Sequence, residues 1–424
     1  LTIRPAKKFR GTFTLPGDKS ISHRLALFGA VAFGETRIRN LSTAADCQST
    51  LACLEALGVR VRREPDLVTV SGQGFEALRP PQEPLDAGNS GSTLRMLSGI
   101  LAGRPFTSTL TGDDSLRRRP VERVAAPLRA MGARLSAEAG RPPLTIEGAR
   151  LRAIDWKLDV ASAQAKTAVL LAGLQADGRT SVSEPHASRD HTERLLPAFG
   201  VALEKDGNTL AVRGGARLRA AELAVPGDAS SAAFLVVAAL LLPDSEVRIE
   251  GVSLNPGRTG FIETLREMGG AVEVTETHGQ PEPVGTLVAR SSSLRGVAIP
   301  PERVPALIDE IPALAVAGAL AEGPFRVSGA RELRVKESDR IATLAEGLRL
   351  MGASVDERED GFTLPGAQRL RGARVRSHGD HRIAMALAVA GLAADGETEL
   401  EGADCVGVSF PGFFDVLAAA TGRG

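Results

Sequence analysis

Two stretches of the chain can be laid over one another. "LPGDKSISHRLALFGAVAFGETRIRN" (15–40) and "VPGDASSAAFLVVAALLLPDSEVRIE" (225–250) share a Pro-Gly-Asp turn, a Ser, an apolar helix-like run and an alternating, strand-like run. The same helix-then-strand unit recurs in "SGSTLRMLSGILAGRPFTSTLTG" (90–112), "SAQAKTAVLLAGLQADGRTSVSE" (162–184), "IDEIPALAVAGALAEGPFRVSG" (308–329) and "HGDHRIAMALAVAGLAADGETELEG" (378–402). Six helix starts, near Ser20, Ser90, Ala163, Ser230, Asp309 and Asp380, therefore recur at a spacing of about 70 residues, the scale of a large structural repeat.

Each of these helices carries small and branched apolar residues almost all round, as in "AVLLAGL" and "ALAVAGAL", which predicts helices buried on most sides. A second, amphipathic helix follows in five copies and ends at Gly58, Gly132, Gly200, Gly269 or Gly352, where a C-cap wants a residue with positive φ. "FFDVLAAATG" reads as a sixth, truncated copy. Three units per half predict two similar α/β domains with buried central helices inside sheets and outer helices. The Pro-Gly-Asp turns at Pro16 and Pro226 open copies one and four, so the chain is expected to cross between domains there. One domain is then discontinuous, residues 1–16 plus 227–424, and the other is 17–226. Two sequential domains meeting near Pro226 are the simpler alternative.

A chain of 424 residues exceeds what one core normally holds. Its 51 Lys+Arg balance 51 Asp+Glu, which argues against non-specific binding to nucleic acid or an anionic membrane. Any basic site must be a local cluster. Cys47, Cys53 and Cys405 form no CxxC pair and are read as structural thiols in a reducing compartment. The longest apolar stretch, "AAFLVVAALLL", is too short for a membrane span, and "LTIRPAKKFRG" lacks the apolar segment of a signal peptide, so a cytoplasmic protein is expected.

Buried helices whose N-termini point the same way would aim unsatisfied N–H groups and positive dipole ends at the cleft between domains, an anion site. The helix starts carry Lys19, Ser20 and Arg24; Asn89, Gly91 and Arg95; Ser162, Gln164 and Lys166; Asp309 and Glu310; His381 and Arg382. Loops add "SLRRRPVERV" (115–124), "EPHASRDHTER" (184–194) and "RVKESDRI" (334–341). Taken singly, each has a plainer reading. "GDKS" is no Walker A loop, because five residues separate Gly11 from Gly17 and Asp18 precedes Lys19. His378 and His381 have no third Cys/His cluster to complete a metal site, "LRRRP" alone is a solvated charge run, and "KESDR" alone is a cap with Lys336 paired to Asp339.

Together, "LPGDKSISHR", "GNSGSTLR", "RRRPVERV", "SAQAKTAVLLAGL", "SRDHTER", "DEIPALA", "RVKESDRI" and "HGDHRIAMALAVAG" resemble the 5-enolpyruvylshikimate-3-phosphate synthase family of enolpyruvyl transferases, in order and over essentially the whole chain. The resemblance implies two domains of three βαβαββ repeats each, an inside-out α/β barrel with ligands in the inter-domain cleft. It also implies a monomer that needs no metal or cofactor and moves the enolpyruvyl group of phosphoenolpyruvate to the 5-hydroxyl of shikimate 3-phosphate, in the shikimate pathway to chorismate and aromatic amino acids. Carried over by position, Lys19, Ser20, Arg24, Ser162, Gln164, Ser188, Arg189, Asp309 and Lys336 are expected to hold shikimate 3-phosphate. Lys19, Asn89, Gly91, Arg119, Gln164, Arg340 and Arg382 are expected to hold phosphoenolpyruvate, with Arg favoured because its planar fork grips phosphate and carboxylate. Asp309 is the expected base toward the 5-hydroxyl and Glu337 the expected acid toward the methylene carbon, with Lys19 beside them.

Many relatives read Ser-Ser-Gln where this chain has Ser162-Ala163-Gln164, a Tyr where His191 stands, and some a Lys where Val408 stands. Glyphosate occupies the phosphoenolpyruvate site in this family, and Gly91 is expected to leave room for it, so that Gly91→Ala weakens inhibition. Two rivals remain to be separated. UDP-N-acetylglucosamine enolpyruvyl transferases share the repeats but place a reactive Cys where this chain reads "GDDSLRRRPV", and a non-catalytic repeat scaffold would not need paired acids beside Arg and Lys.

Overall fold

The computed structural model describes residues 1–422. Six helices occupy the predicted positions: α1 (Lys19–Val31), α2 (Gly91–Leu101), α3 (Ala163–Gly173), α4 (Ala229–Leu241), α5 (Ile311–Leu320) and α6 (His381–Leu392). Their all-round apolar composition has the expected consequence. Every residue of α6 is buried, as is α4 up to Leu240 and α5 up to Ala319.

Each of the six helices is followed by a strand that runs parallel to a strand lying ahead of a helix start, the connection a parallel pair requires. The sheet built on Asp155–Lys157 and Arg179–Ser183 shows the plan: these two are parallel, and Thr209–Arg213 and Glu204–Asp206 are added antiparallel. Four other sheets repeat the order; the sixth, on Arg374–Arg376 and Thr398–Glu401, replaces the last two strands with Thr2–Ile3. That replacement follows from the truncated last copy, whose remaining residues form the helix Phe413–Ala420.

Two compact units result, Leu1–Pro16 with Pro226–Gly424, and Gly17–Val225. Each has its own apolar core, one around α4, α5 and α6 and the other around α1, α2 and α3. At the two crossings the leading strands are exchanged. Arg10–Thr14 pairs in parallel with Glu246–Ser253, while Glu222–Ala224 pairs in parallel with Phe33–Arg39, so each strand stays with the unit that the chain is leaving.

Local chemistry sets the helix ends. Asp18 and Asp228 cap α1 and α4 by accepting from the backbone N–H groups of Ile21 and Ser231, both at 3.0 Å. The five glycines expected to end outer helices all have positive φ, from 78° at Gly200 to 112° at Gly132. At Gly99 the requirement is closeness instead: a Cβ there would stand 2.2 Å from the carbonyl oxygen of Ala168, so glycine lets α2 and α3 touch. No helix among the described residues is long and apolar enough to cross a membrane.

Candidate active site

In the unit Gly17–Val225 the start of α1 places Lys19 just after its Asp18 cap, and Lys19 Nζ pairs with Asp46 Oδ2 at 2.9 Å. Both side chains are largely withdrawn from solvent. Ser20 is half-buried, and its carbonyl accepts from Arg24 Nη1 at 2.8 Å. Arg24 itself is buried and braces three elements. Its Nε donates to Thr192 Oγ1 at 2.8 Å, and Nη2 donates to Thr167 Oγ1 at 3.1 Å and to the Ala163 carbonyl at 3.3 Å.

The next start gathers four predicted residues around one that the motif list gave only a minor place. Arg119 Nη2 donates to Asn89 Oδ1 at 2.6 Å and Nη1 to the Asn89 carbonyl at 3.1 Å. Arg95 Nη1 donates to Gln164 Oε1 at 2.7 Å, and Gln164 Nε2 donates to Ser92 Oγ at 2.8 Å. Gly91 sits between the two arginines: a Cβ there would lie 2.9 Å from Arg95 Nη1 and 3.4 Å from Arg119 Nη1. A methyl at Gly91 must therefore displace a guanidinium that Gln164 holds.

Ser162 caps α3, its Oγ accepting from the Ala165 N–H at 3.3 Å. Ser188 lies on the loop after the strand Arg179–Ser183, and both Ser162 and Ser188 are bonded to Glu184. Arg189 is half-buried on the same loop. Lys166 is 2% exposed and paired with Glu184 at 2.9 Å and Glu193 at 2.6 Å. Neither carboxylate was singled out from the sequence, where a Glu in a polar loop looks like any other solvated acid.

A buried polar chain runs behind this face. His23 Nδ1 lies 2.7 Å from Thr50 Oγ1, Thr50 Oγ1 lies 2.6 Å from Thr93 Oγ1, and Thr93 Oγ1 donates to Ser90 Oγ at 2.7 Å. Burial, with Lys19 and Arg24 adding to it, holds the His23 imidazole well below its ordinary value, so it is neutral in the folded protein.

In the other unit the predicted acids converge on one cation. Arg340 is 1% exposed; its Nη1 donates to Asp309 Oδ1 at 3.0 Å, its Nη2 to Glu337 Oε2 at 2.6 Å and its Nε to Asp380 Oδ2 at 2.8 Å. Asp380 also caps α6, accepting from the Arg382 N–H at 2.9 Å. At Arg340, Asp380, Glu337 and Asp309 together outweigh burial and hold the guanidinium above its ordinary value, whereas at Lys336 burial prevails and pushes the amine below the usual ammonium range.

Arg382 is the most demanding group of the cluster. It is 3% exposed, its guanidinium carbon lies 5.9 Å from the centre of the Phe234 ring, and its Nε and Nη1 are buried with no hydrogen-bond acceptor among the described residues. A buried cation with unused donors is costly unless an anion reaches it.

The thiols offer no nucleophile. Burial pushes Cys53 up to about 12 and Cys405 up to about 11, and raises Cys47 further still. No group of three or more His, Cys, Asp and Glu that could hold a metal ion occurs among the described residues.

The chain matches known proteins along its whole length. The family model of EPSP synthase (3-phosphoshikimate 1-carboxyvinyltransferase) matches residues 3–417. The 3-phosphoshikimate 1-carboxyvinyltransferase of Desulfitobacterium hafniense (strain DSM 10664 / DCB-2) is 50% identical over 420 residues, which cover 98% of this chain and 97% of that protein. The protein of the same name from Acidithiobacillus ferrooxidans (strain ATCC 53993 / BNL-5-31) is 51% identical over 416 residues, 97% of this chain and 95% of that protein. The solved structure of EPSP synthase from Acinetobacter baumannii superposes with a TM-score of 0.87 at 43% identity, covering 99% of this chain and 97% of that one.

Proposed function

Because the chain belongs to the EPSP synthase family, and so transfers the enolpyruvyl group of phosphoenolpyruvate to the 5-hydroxyl of shikimate 3-phosphate with release of phosphate, we propose that its two site clusters divide that task. Lys19, Ser20, Arg24, Ser162, Gln164, Ser188 and Arg189 hold shikimate 3-phosphate, with Asp309 and Lys336. Lys19, Asn89, Gly91, Arg119, Gln164, Arg340 and Arg382 hold phosphoenolpyruvate. Asp309 and Glu337 move the protons.

The observation that carries this reading is the pairing of Asp309 and Glu337 on the one buried guanidinium of Arg340, next to a cap that presents Arg382 with unused donors. A guanidinium has more N–H donors than the bonds to Asp309, Glu337 and Asp380 consume, so Arg340 can bind an incoming anion while still fixing both acids. An anionic donor drawn to Arg340 and Arg382 competes with Glu337 for positive charge, which favours proton uptake by Glu337.

The steps then balance. Glu337 gives a proton to the methylene carbon of phosphoenolpyruvate, leaving oxocarbenium character at C2. The 5-hydroxyl oxygen adds to C2 as Asp309 takes its proton. The C–O bond to phosphate then breaks, the leaving phosphate takes the proton held by Asp309, the Glu337 carboxylate takes back a proton from the methyl group, and the enol ether and inorganic phosphate leave. The surrounding cations stabilise negative charge that bulk water would otherwise screen.

Glu337→Gln keeps the shape of the side chain and removes its acidity, so kcat should fall by about 10²- to 10⁴-fold with binding of both substrates preserved. Phosphate release measured with shikimate 3-phosphate as acceptor reads the first, and calorimetric titration the second. Retention of kcat would remove Glu337 from the proton path.

A further inference from the structure

We propose that Glu184 is a positioning residue, the internal anchor that shapes the subsite for the phosphate of shikimate 3-phosphate. The inference rests on the reading that Ser162 and Ser188 contact that phosphate. Glu184 follows directly on the strand Arg179–Ser183, and its side chain is 2% exposed. Its Oε1 accepts from the Ser162 N–H at 2.8 Å and from Ser188 Oγ at 2.7 Å; its Oε2 accepts from Ser188 Oγ at 2.8 Å and from the Ser188 N–H at 3.3 Å. One carboxylate thus clamps the cap of α3 to the loop that carries Ser188 and Arg189.

The clamp leaves the right groups for an anion. Ser162 Oγ uses acceptor capacity on the Ala165 N–H, which keeps its own hydrogen for an outside acceptor. Ser188 Oγ points its hydrogen at Glu184, but a hydroxyl rotor can turn it to a phosphate oxygen while the loop stays held through the two backbone N–H bonds to the carboxylate. A buried carboxylate needs a counter-charge, and Lys166, 2% exposed, supplies it at 2.9 Å. Lys166 is shared with Glu193 at 2.6 Å, so it is spent inside the cluster and serves the clamp rather than the ligand.

A residue that only stabilised the fold would weaken every ligand alike. One that shapes the phosphate subsite changes the preference for shikimate 3-phosphate over shikimate, which differ only by that phosphate. Glu184→Gln keeps the volume, but an NH₂ group at the Oε2 position cannot accept from the Ser188 N–H or from Lys166, so the loop loses its backbone hold on the clamp. Titration of the full chain should show affinity for shikimate 3-phosphate lowered about ten-fold, affinity for shikimate changed less than about two-fold, and the KM for phosphoenolpyruvate unmoved. Equal weakening of both acceptors, or tighter binding of shikimate 3-phosphate, overturns the proposal. Should Glu184→Gln not fold, Glu184→Asp, one methylene too short to span both serines, is read the same way. Ser188→Ala separates the two levels. If it leaves the phosphate preference intact, the assignment of this subsite fails and takes the inference with it; if it lowers the preference while Glu184→Gln does not, the inference alone fails.

Discussion

Helices α1 and α4 begin alike and then part company. Both follow Pro-Gly-Asp, and in both the Asp accepts from the N–H three residues on at 3.0 Å. After the cap, α1 continues with Lys19 and a half-buried Ser20, whereas α4 continues with Ala229 and a fully buried Ser230. Ser230 is sealed in: Arg258 Nη2 donates to its Oγ at 2.8 Å, its hydroxyl donates to Glu310, and Arg258 also reaches Asp228 at 3.3 Å. Further along, α1 buries His23 and Arg24 where α4 buries Ala233 and Phe234. The cap therefore belongs to the repeat, while the residues just after it decide whether a helix start is spent on stability or kept for a ligand.

The sharpest way to break this comparison is to exchange the expected costs. Arg258→Met leaves Asp228 without its buried cation and Ser230 Oγ without its donor, and should lower the stability of the unit around α4 by about 3–5 kcal/mol, read in denaturant melts. If the melts do not move, the sealed start is not structural. Lys19→Met should do the reverse. Transition-state stabilisation falls by about 2.7–4 kcal/mol, seen as a loss of about 10²- to 10³-fold in kcat/KM, while stability falls less than for Arg258→Met, because the Lys19 side chain is 16% exposed and that of Arg258 only 1%.

His23 gives α1 a pH dependence that α4 lacks. Its folded-state value is held well below 6.5, so below about pH 6.5 the unfolded chain takes a proton that the folded one refuses. The stability contribution is fully present above that pH and is lost as pH falls toward the lowered folded value, with a slope of at most about 1.4 kcal/mol per pH unit. His23→Gln should flatten this part of the stability profile; an unchanged slope would place its origin elsewhere. The smallest effect sharpens the shared part. Asp18→Ala should cost about 1 kcal/mol for the lost cap, and Asp228→Ala more, because it also takes the 3.3 Å partner from the buried Arg258; equal losses would mean that this pair adds nothing to the cap.

Much of the fold was legible because it depends on patterns that a repeat states several times over. The runs "AVLLAGL" and "ALAVAGAL" have no polar face to offer water, so they could only be central, and α3 and α5 are. The outer-helix glycines were legible because a positive φ costs every other residue strain. The pairing of Arg10–Thr14 with Glu246–Ser253 and of Glu222–Ala224 with Phe33–Arg39 was not, since it joins residues 236 and 185 positions apart and leaves no local mark.

The same division runs through the site. The motifs supplied the side chains that we propose meet the substrates, because "PGDKS", "GNSGS", "SAQ", "KESDR" and "GDHR" stand at helix starts whose N–H groups must face an anion or water. They did not supply the partners. Asp46 on Lys19, Asp380 on Arg340, and Glu184 with Glu193 around Lys166 are carboxylates from other turns of the chain, and only the folded protein brings them within 2.6–2.9 Å of their cations. Sequence by itself determined the repeat, the buried helices and the chemistry available at each helix start, because periodicity and side-chain type are local. Tertiary structure decided which of those charges are clamped, sealed or left with donors to spare, because the cost of burying a charge depends on neighbours that the chain order does not reveal.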